Sequence, residues 1–323
     1  MRQVLFTIPK FEFSIYIILI LIEILILAII YFLFKKKKEI LSYLLFFILI
    51  TTGIYIFAPV PIRTYGVCVG LGFLLAVYVA IILAKKNKIE PGRESQIITD
   101  LSFYVLIGII IGARLFYFLF YDIEYFLTNP LKFFAVWEGG MVFYGGLIGG
   151  IITGFIFLKK KRVNILKIAD IIGVVLHLGM FIGRWGCFGY GCCFGKVCSQ
   201  NFPFKVRFPA KGYYGFTPAF EEQLSKGLVS ENDKFSLPVY PTQLFESIGC
   251  LIIFFILLYL YKRKKFDGQI AAFSIIFYAV LRFIIEFFRV NPSFLGLTVS
   301  QWISLGLIIF GAFIYNKASN KNE

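Results

Sequence analysis

Charge is scarce in this chain. Of its 323 residues only 16% are Asp, Glu, Lys or Arg, and histidine occurs once, at His177. There is no P-loop, dinucleotide fingerprint, kinase motif or RNA-binding signature, and no internal repeat or low-complexity tract. Nucleotide and nucleic-acid chemistry are thereby set aside. What fills the chain is apolar: 59% of residues are hydrophobic, arranged in repeated runs near 20 residues long. An ordinary soluble domain is excluded, and a polytopic helical membrane protein is indicated.

Hydrophobic segments fall at about 14–34, 40–58, 65–84, 98–120, 140–158, 165–185, 243–261, 268–288 and 298–315. The net charge of +15 sits mainly between them. Lys35 to Lys38, Lys85 to Lys88, Lys159 to Arg162 and Lys262 to Lys265 occupy alternate short loops, the positive-inside pattern. It predicts nine spans, with the N-terminus outside and the C-terminus, Asn316 to Glu323, in the cytoplasm. The first segment ends in four lysines and lacks a small-residue cleavage site, so it reads as a retained span rather than a signal peptide. Glu23 within it is expected to face neighbouring helices.

Two outward loops carry the unusual residues. One runs from about Tyr121 to Gly139; the longer, about 186–242, is expected to fold as a small cap. Glycine pairs punctuate EGGMVFYGGLIGG, from Glu138 to Gly150, and suit either close helix packing or close approach of a ligand to backbone. Near the C-terminal end, Arg282, Glu286 and Arg289 stand in YAVLRFIIEFFRV at offsets of four and seven, which on a helix share one face. Charges at membrane depth must be paired or face a polar cavity. Two arginines and one glutamate leave surplus positive charge, a face suited to a phosphate-bearing ligand. Arg184 stands at the outer end of its span, where snorkelling to the interface is the plain alternative. His177, seven residues before Arg184, is either a base or a hydrogen-bonded residue of the bundle.

Six cysteines divide into two kinds. Cys68 and Cys250 lie within spans and read as small buried hydrophobes. Cys187, Cys192, Cys193 and Cys198 crowd one outward loop, and three readings stay open: a disulfide staple, thiol chemistry, or a metal site. The spacing C-x4-C-C-x4-C matches no standard zinc pattern, and no resident metal or cofactor is expected.

These blocks together resemble the phosphatidylglycerol–prolipoprotein diacylglyceryl transferase family. The likeness runs from about Arg63 to Gly306. It is carried by IRTYG (Ile62 to Gly66), DLSFYVLIGIIIGARLFYFLFY (Asp100 to Tyr121), NPLKFFAVWEGGMVFYGGLIGG (Asn129 to Gly150), GRWGCFGYGCCFG (Gly183 to Gly195), YPTQLFE (Tyr240 to Glu246), RFIIEFFR (Arg282 to Arg289) and GLTVSQWISL (Gly296 to Leu305), in the family's order. The resemblance implies an all-α polytopic membrane protein, and with the hydrophobic segments the expected total is about nine helices. Seven are family-like within 61–323; two extra ones lie in 1–60, and the cap faces the extracytoplasmic side.

It also implies a reaction at the outer face of the bacterial cytoplasmic membrane. A diacylglyceryl group passes from phosphatidylglycerol to the thiol of a lipobox cysteine in a prolipoprotein signal peptide, releasing glycerol phosphate. Membrane lipids surround the enzyme. Arg184, Arg282 and Arg289 would hold the headgroup and the leaving phosphate, since arginine is always charged and binds phosphate oxygens bidentately. Glu286 would orient an arginine, and Tyr65 matches a family tyrosine. Gly145, Gly146 and Gly195 would allow close backbone approach. Gly183, Arg114, Glu246, Tyr240 and Gln243 are expected among the substrate contacts.

The chain departs from the family at four polar positions. Tyr144 stands where the family has histidine before its glycine pair. Cys187 and Cys192 replace an asparagine and a glutamate, and Tyr240 replaces a histidine. The expected base is therefore missing, and tyrosine, with a pKa near 10, is a poor substitute. A paralogue acting on another lipid or thiol acceptor, a membrane thiol-redox module and a lipid-binding or transport protein remain the alternatives.

Overall fold

In a membrane interior every backbone N–H and C=O must be paired within the chain, so apolar runs of this length fold as helices. The computed structural model describes residues 4–8, 60–135, 139–212 and 215–320. The two expected N-terminal spans, about 14–34 and 40–58, lie outside these residues. Among the described residues, seven helices are long and apolar enough to cross a membrane, and no sheet exceeds two strands.

The chain divides into two compact units. One comprises residues 1–67, 189–192 and 207–237. In it strand β1 (Val4–Ile8) pairs antiparallel with β2 (Val60–Arg63), with Thr7 opposite Pro61.

The other unit holds the bundle. Its helices are α1 (Thr64–Lys86, whose first turn belongs to the first unit), α2 (Glu94–Tyr121), the short α3 (Ile123–Thr128), α4 (Phe143–Lys161) and α5 (Ile165–Tyr190). Between α5 and the next span, residues 207–237 of the first unit form a hairpin of β3 (Lys211–Gly212) and β4 (Gly215–Phe216), followed by α6 (Pro218–Ser225). The bundle resumes with α7 (Thr242–Tyr261) and α8 (Gln269–Glu286), then the hairpin β5 (Ser293–Phe294) and β6 (Leu297–Thr298), and ends with α9 (Val299–Ser319). These bounds follow the hydrophobic segments within a few residues.

Lysines punctuate one end of the bundle. Lys85 and Lys86 close α1, Lys159 to Lys161 close α4, and Lys317 stands in the last turn of α9, where cations complement the helix dipole. At this end α5 is the hub. Its Ile168, Ile171 and Val174 are fully buried among Leu83, Ile97, Leu101, Leu158, Leu257 and Ile270. Asp170 fastens α5 to the start of α8. Its Oδ1 accepts the Ile270 and Ala271 amides, each at 2.9 Å, and its Oδ2 accepts the Gly268 amide at 3.0 Å and Lys264 Nζ at 2.9 Å. Burial opposes the charge on Lys264, but its hydrogen bonds to Asp267 and Asp170 outweigh that and push its pKa up.

Helices α2 and α4 cross through glycine. Gly108 and Gly112 on one face Gly145 and Gly149 on the other, and a Cβ at any of the four would collide with a backbone carbonyl across the interface. Small residues four apart on both partners are how membrane helices bring their backbones together. Elsewhere Leu74, Phe103, Ile151, Phe255 and Ile309 are exposed, a surface suited to hydrocarbon rather than water.

Candidate functional site

At the bundle end opposite the lysines, four charged side chains alternate in sign. Glu246 lies in the second turn of α7 and is 1% exposed. Its Oε1 accepts Arg184 Nη2 of α5 at 2.5 Å and the Tyr278 hydroxyl of α8 at 2.9 Å. Its Oε2 lies 3.6 Å from Arg282 Nη1, one turn beyond Tyr278. Arg282 Nη2 in turn lies 3.1 Å from Glu286 Oε2 and donates to Ser300 Oγ of α9 at 3.4 Å. Glu286 Oε1 accepts Asn291 Nδ2 and, at 3.1 Å, the Thr298 hydroxyl. Thr298 is itself fixed by a capping box with Gln301 that opens α9: Gln301 N donates to Thr298 Oγ1 at 3.3 Å, and Thr298 N to Gln301 Oε1 at 2.9 Å.

Taking charges out of water is costly unless they are paired and hydrogen-bonded, and both carboxylates here meet that condition. The guanidiniums do not exhaust their donors. Glu246 is the hydrogen-bond acceptor of Arg184, and Arg282 Nη1 is buried with no hydrogen-bond partner. The array is therefore two oriented arginines with N–H groups to spare, a suitable receptor for phosphate oxygens.

This arrangement corrects the expected surplus charge. Helix α8 ends at Glu286, so its periodicity does not carry Arg289 onto the same face. Arg289 sits in the following turn, its amide donating to Glu286 O at 3.0 Å. Glu246 takes its place, and the cluster holds two positive and two negative groups. Tyr278, Ser300, Asn291 and Thr298 were not anticipated. Only Tyr278 had a readable signal, standing four residues before Arg282 on the stripe that continues to Glu286.

Arg114 holds backbone in the described residues. It was expected to touch substrate, but it is 3% exposed and all five of its N–H donors are engaged. Nε donates to Phe133 O at 3.1 Å, Nη2 to Lys132 O and Ala135 O at 2.7 Å each, and Nη1 to Gly140 O at 3.1 Å and to Gly139 O. It pins the segment between α3 and α4.

The glycines divide likewise. Gly145 and Gly146 face α2, and a Cβ at Gly195 would sit 2.6 Å from Phe288 O, so helix and loop packing fill the space expected for a ligand. Gly183, one residue before Arg184, has open space beside it. Tyr240 packs in an aromatic group with Phe202 and Phe288, centroids 4.9 and 5.3 Å away. Gln243 is fully buried in the first turn of α7. Tyr144, in the first turn of α4, is exposed with its ring against Phe143. Tyr65 opens α1 and belongs to the other unit.

His177 is fully buried, with Nδ1 2.9 Å from Gly173 O one turn back and its ring edge-on to Tyr278. Of the loop cysteines, Cys198 is a buried free thiol whose pKa burial pushes up. The Sγ atoms of Cys187 and Cys193 lie within 4.8 Å of each other. Cys192 belongs to the other unit.

Residues 52–316 match the family model described as prolipoprotein diacylglyceryl transferase. Three relatives named phosphatidylglycerol–prolipoprotein diacylglyceryl transferase are similar over most of their length. The protein of Ralstonia pickettii is 32% identical over 282 residues, 82% of this chain and 94% of its own. That of Idiomarina loihiensis is 30% identical over 273 residues, covering 83% and 92%. That of Bordetella parapertussis is 33% identical over 267 residues, covering 80% and 91%. The match spans seven membrane-capable helices and the blocks that carry Arg184, Glu246, Arg282 and Glu286, and the chain belongs to the prolipoprotein diacylglyceryl transferase family.

Proposed function

We propose that this membrane transferase moves the diacylglyceryl group of phosphatidylglycerol onto the lipobox cysteine thiol of a prolipoprotein and releases glycerol phosphate. The observation that carries the reading is Arg282 Nη1, buried and without a hydrogen-bond acceptor beside Arg184. The two guanidiniums receive the phosphodiester. Glu246 and Glu286 fix their orientation, so little reorganisation is needed when charge develops. Gly183 leaves room beside Arg184 for the headgroup.

The acceptor thiol loses its proton, and its sulfur attacks the glyceryl carbon. The carbon–oxygen bond to phosphate breaks with its electron pair going to the phosphate oxygen. That oxygen gains charge as it leaves, which the arginine N–H groups stabilise more strongly than they stabilise the diester. In this reading the protein resides in the bacterial cytoplasmic membrane with the arginine end facing outward and the lysine loops in the cytoplasm, as the positive-inside pattern requires.

The test is transfer itself. The purified chain in phosphatidylglycerol vesicles, given a lipobox peptide, should yield a diacylglyceryl thioether by mass spectrometry and an equal amount of glycerol phosphate. Folded protein that binds the lipid and yields neither product contradicts the reading.

A further inference from the structure

Helices α8 and α9 are both long and apolar enough to cross a membrane, so the short link between them lies where the bundle leaves the hydrocarbon. Polar residues at its two roots face inward. Asn291 Nδ2 and Thr298 Oγ1 both donate to Glu286 Oε1, the latter at 3.1 Å. Between these roots β5 and β6 form a hairpin, with Ser293 opposite Thr298 and Phe294 opposite Leu297. Its outer side chains are apolar: Phe294 is 67% exposed, and Leu295, at the tip, 78%.

The tip is built against local preference. Leu295 and Gly296 are the two loop residues, with φ of 51° and 80°. A two-residue hairpin turn with positive φ at both positions ordinarily begins with asparagine, aspartate or glycine. Leucine there strains the backbone through its Cβ and, in water, gains nothing that offsets the strain. Strain retained in this way points to function. The surroundings identify the partner. The exposed apolar strip runs on from the hairpin along both helices, through Val280 and Ile284 of α8 and Val299 and Ile303 of α9, a surface suited to hydrocarbon. Trp302 donates its indole Nε1 to Phe294 O at 3.0 Å while its ring stays part-exposed. A ring turned outward with its polar edge bonded is how tryptophan sits at a membrane–water interface.

We infer that the β5–β6 hairpin is a wedge set into the hydrocarbon of the outer leaflet, with Leu295 at its tip, and that its roots hold Glu286 and Arg282 level with the lipid phosphates. The surface is covered by lipid acyl chains, because it continues the strip that already faces them. Burial of apolar area draws the tip into hydrocarbon. The two bonds at the roots pass that depth to Glu286, whose other oxygen lies 3.1 Å from Arg282 Nη2. Leu295 is thus a positioning residue that touches no reacting atom. The choice of leaflet and the level of the phosphates rest on the transferase reading above; the contact with lipid does not.

The test uses the full chain in vesicles of phosphatidylcholine and phosphatidylglycerol, with or without bromine near the top of the acyl chains. Leu295→Trp adds one tryptophan to the native three, and brominated lipid should quench most of the added emission. Added emission indifferent to bromine overturns the inference. So does emission that responds only when a lipobox peptide is added, which would assign the tip to the acceptor. Leu295→Asn supplies a residue the turn prefers and should melt in detergent at or above the native temperature; a clearly lower one would show that the leucine packs on the protein itself, and overturns the wedge. In vesicles, Leu295→Asn should raise the KM for phosphatidylglycerol by about fivefold with kcat changed by less than about twofold. Leu295→Met should restore the native KM. An unchanged KM in folded Leu295→Asn overturns the positioning role, as does a fall in kcat alone. If the native chain transfers nothing, the transferase reading falls, while quenching still decides the contact with lipid.

Discussion

Arg184 and Glu246 stand 62 residues apart in sequence and meet with Nη2 2.5 Å from Oε1, joining α5 to α7. The same carboxylate faces Arg282 from α8. One acidic side chain thereby pairs with both arginines.

Glu246→Gln keeps the volume and removes the charge. With two guanidiniums left short of a counter-ion in the bundle, stability should fall by roughly 3 kcal/mol. Transfer should fall further than the folded fraction alone explains. Thermal unfolding in detergent and turnover per folded molecule separate the two effects; normal turnover would show that the arginines do not need Glu246.

Arg114 differs in kind. Arg114→Gln strips donors from five carbonyls, so the expected loss is stability, on the order of 3 kcal/mol, with rapid proteolysis between α3 and α4. Arg114→Lys retains three donors and should recover part of that stability with an unchanged KM for phosphatidylglycerol. A raised KM in folded Arg114→Lys would restore the substrate-binding role.

Lys264 gives a pH dependence of known sign. Its pKa in the folded chain is raised, with burial opposing and the bonds to Asp267 and Asp170 prevailing. It therefore stabilises the fold below the ordinary lysine value, near 10.4, and loses that contribution as pH climbs through the higher folded value. Unfolding temperatures of the native chain and Lys264→Met should differ most at neutral pH and converge in strong alkali. Parallel curves across that window would contradict the assignment.

The seven spans among the described residues were legible because length, apolarity and lysine placement are local properties that a membrane leaves few ways to satisfy. Arg282 and Glu286 were legible for the same reason, since four residues along a helix makes neighbours. Arg289 was misplaced because the helix stops at Glu286, earlier than Pro292, the nearest helix-breaking residue, requires. The pairing of Glu246 with Arg184 required three helices to converge. Nor could sequence distinguish Arg114, which holds backbone carbonyls, from Arg184, which keeps donors free: both stand at the ends of spans within family-like blocks. The glycine pair at Gly145 was ambiguous until Gly112 was found facing it.

The most direct test of the central claim is turnover by Arg282→Lys. Lysine keeps the positive charge between Glu246 and Glu286 but loses the planar fork whose Nη1, ion-paired with Glu246 yet without a hydrogen-bond acceptor, would meet phosphate. The account predicts a folded protein of near-native melting temperature whose kcat for diacylglyceryl transfer drops by about 100-fold or more, the usual cost of removing one oriented donor. Transfer at close to the native rate by folded Arg282→Lys would contradict it.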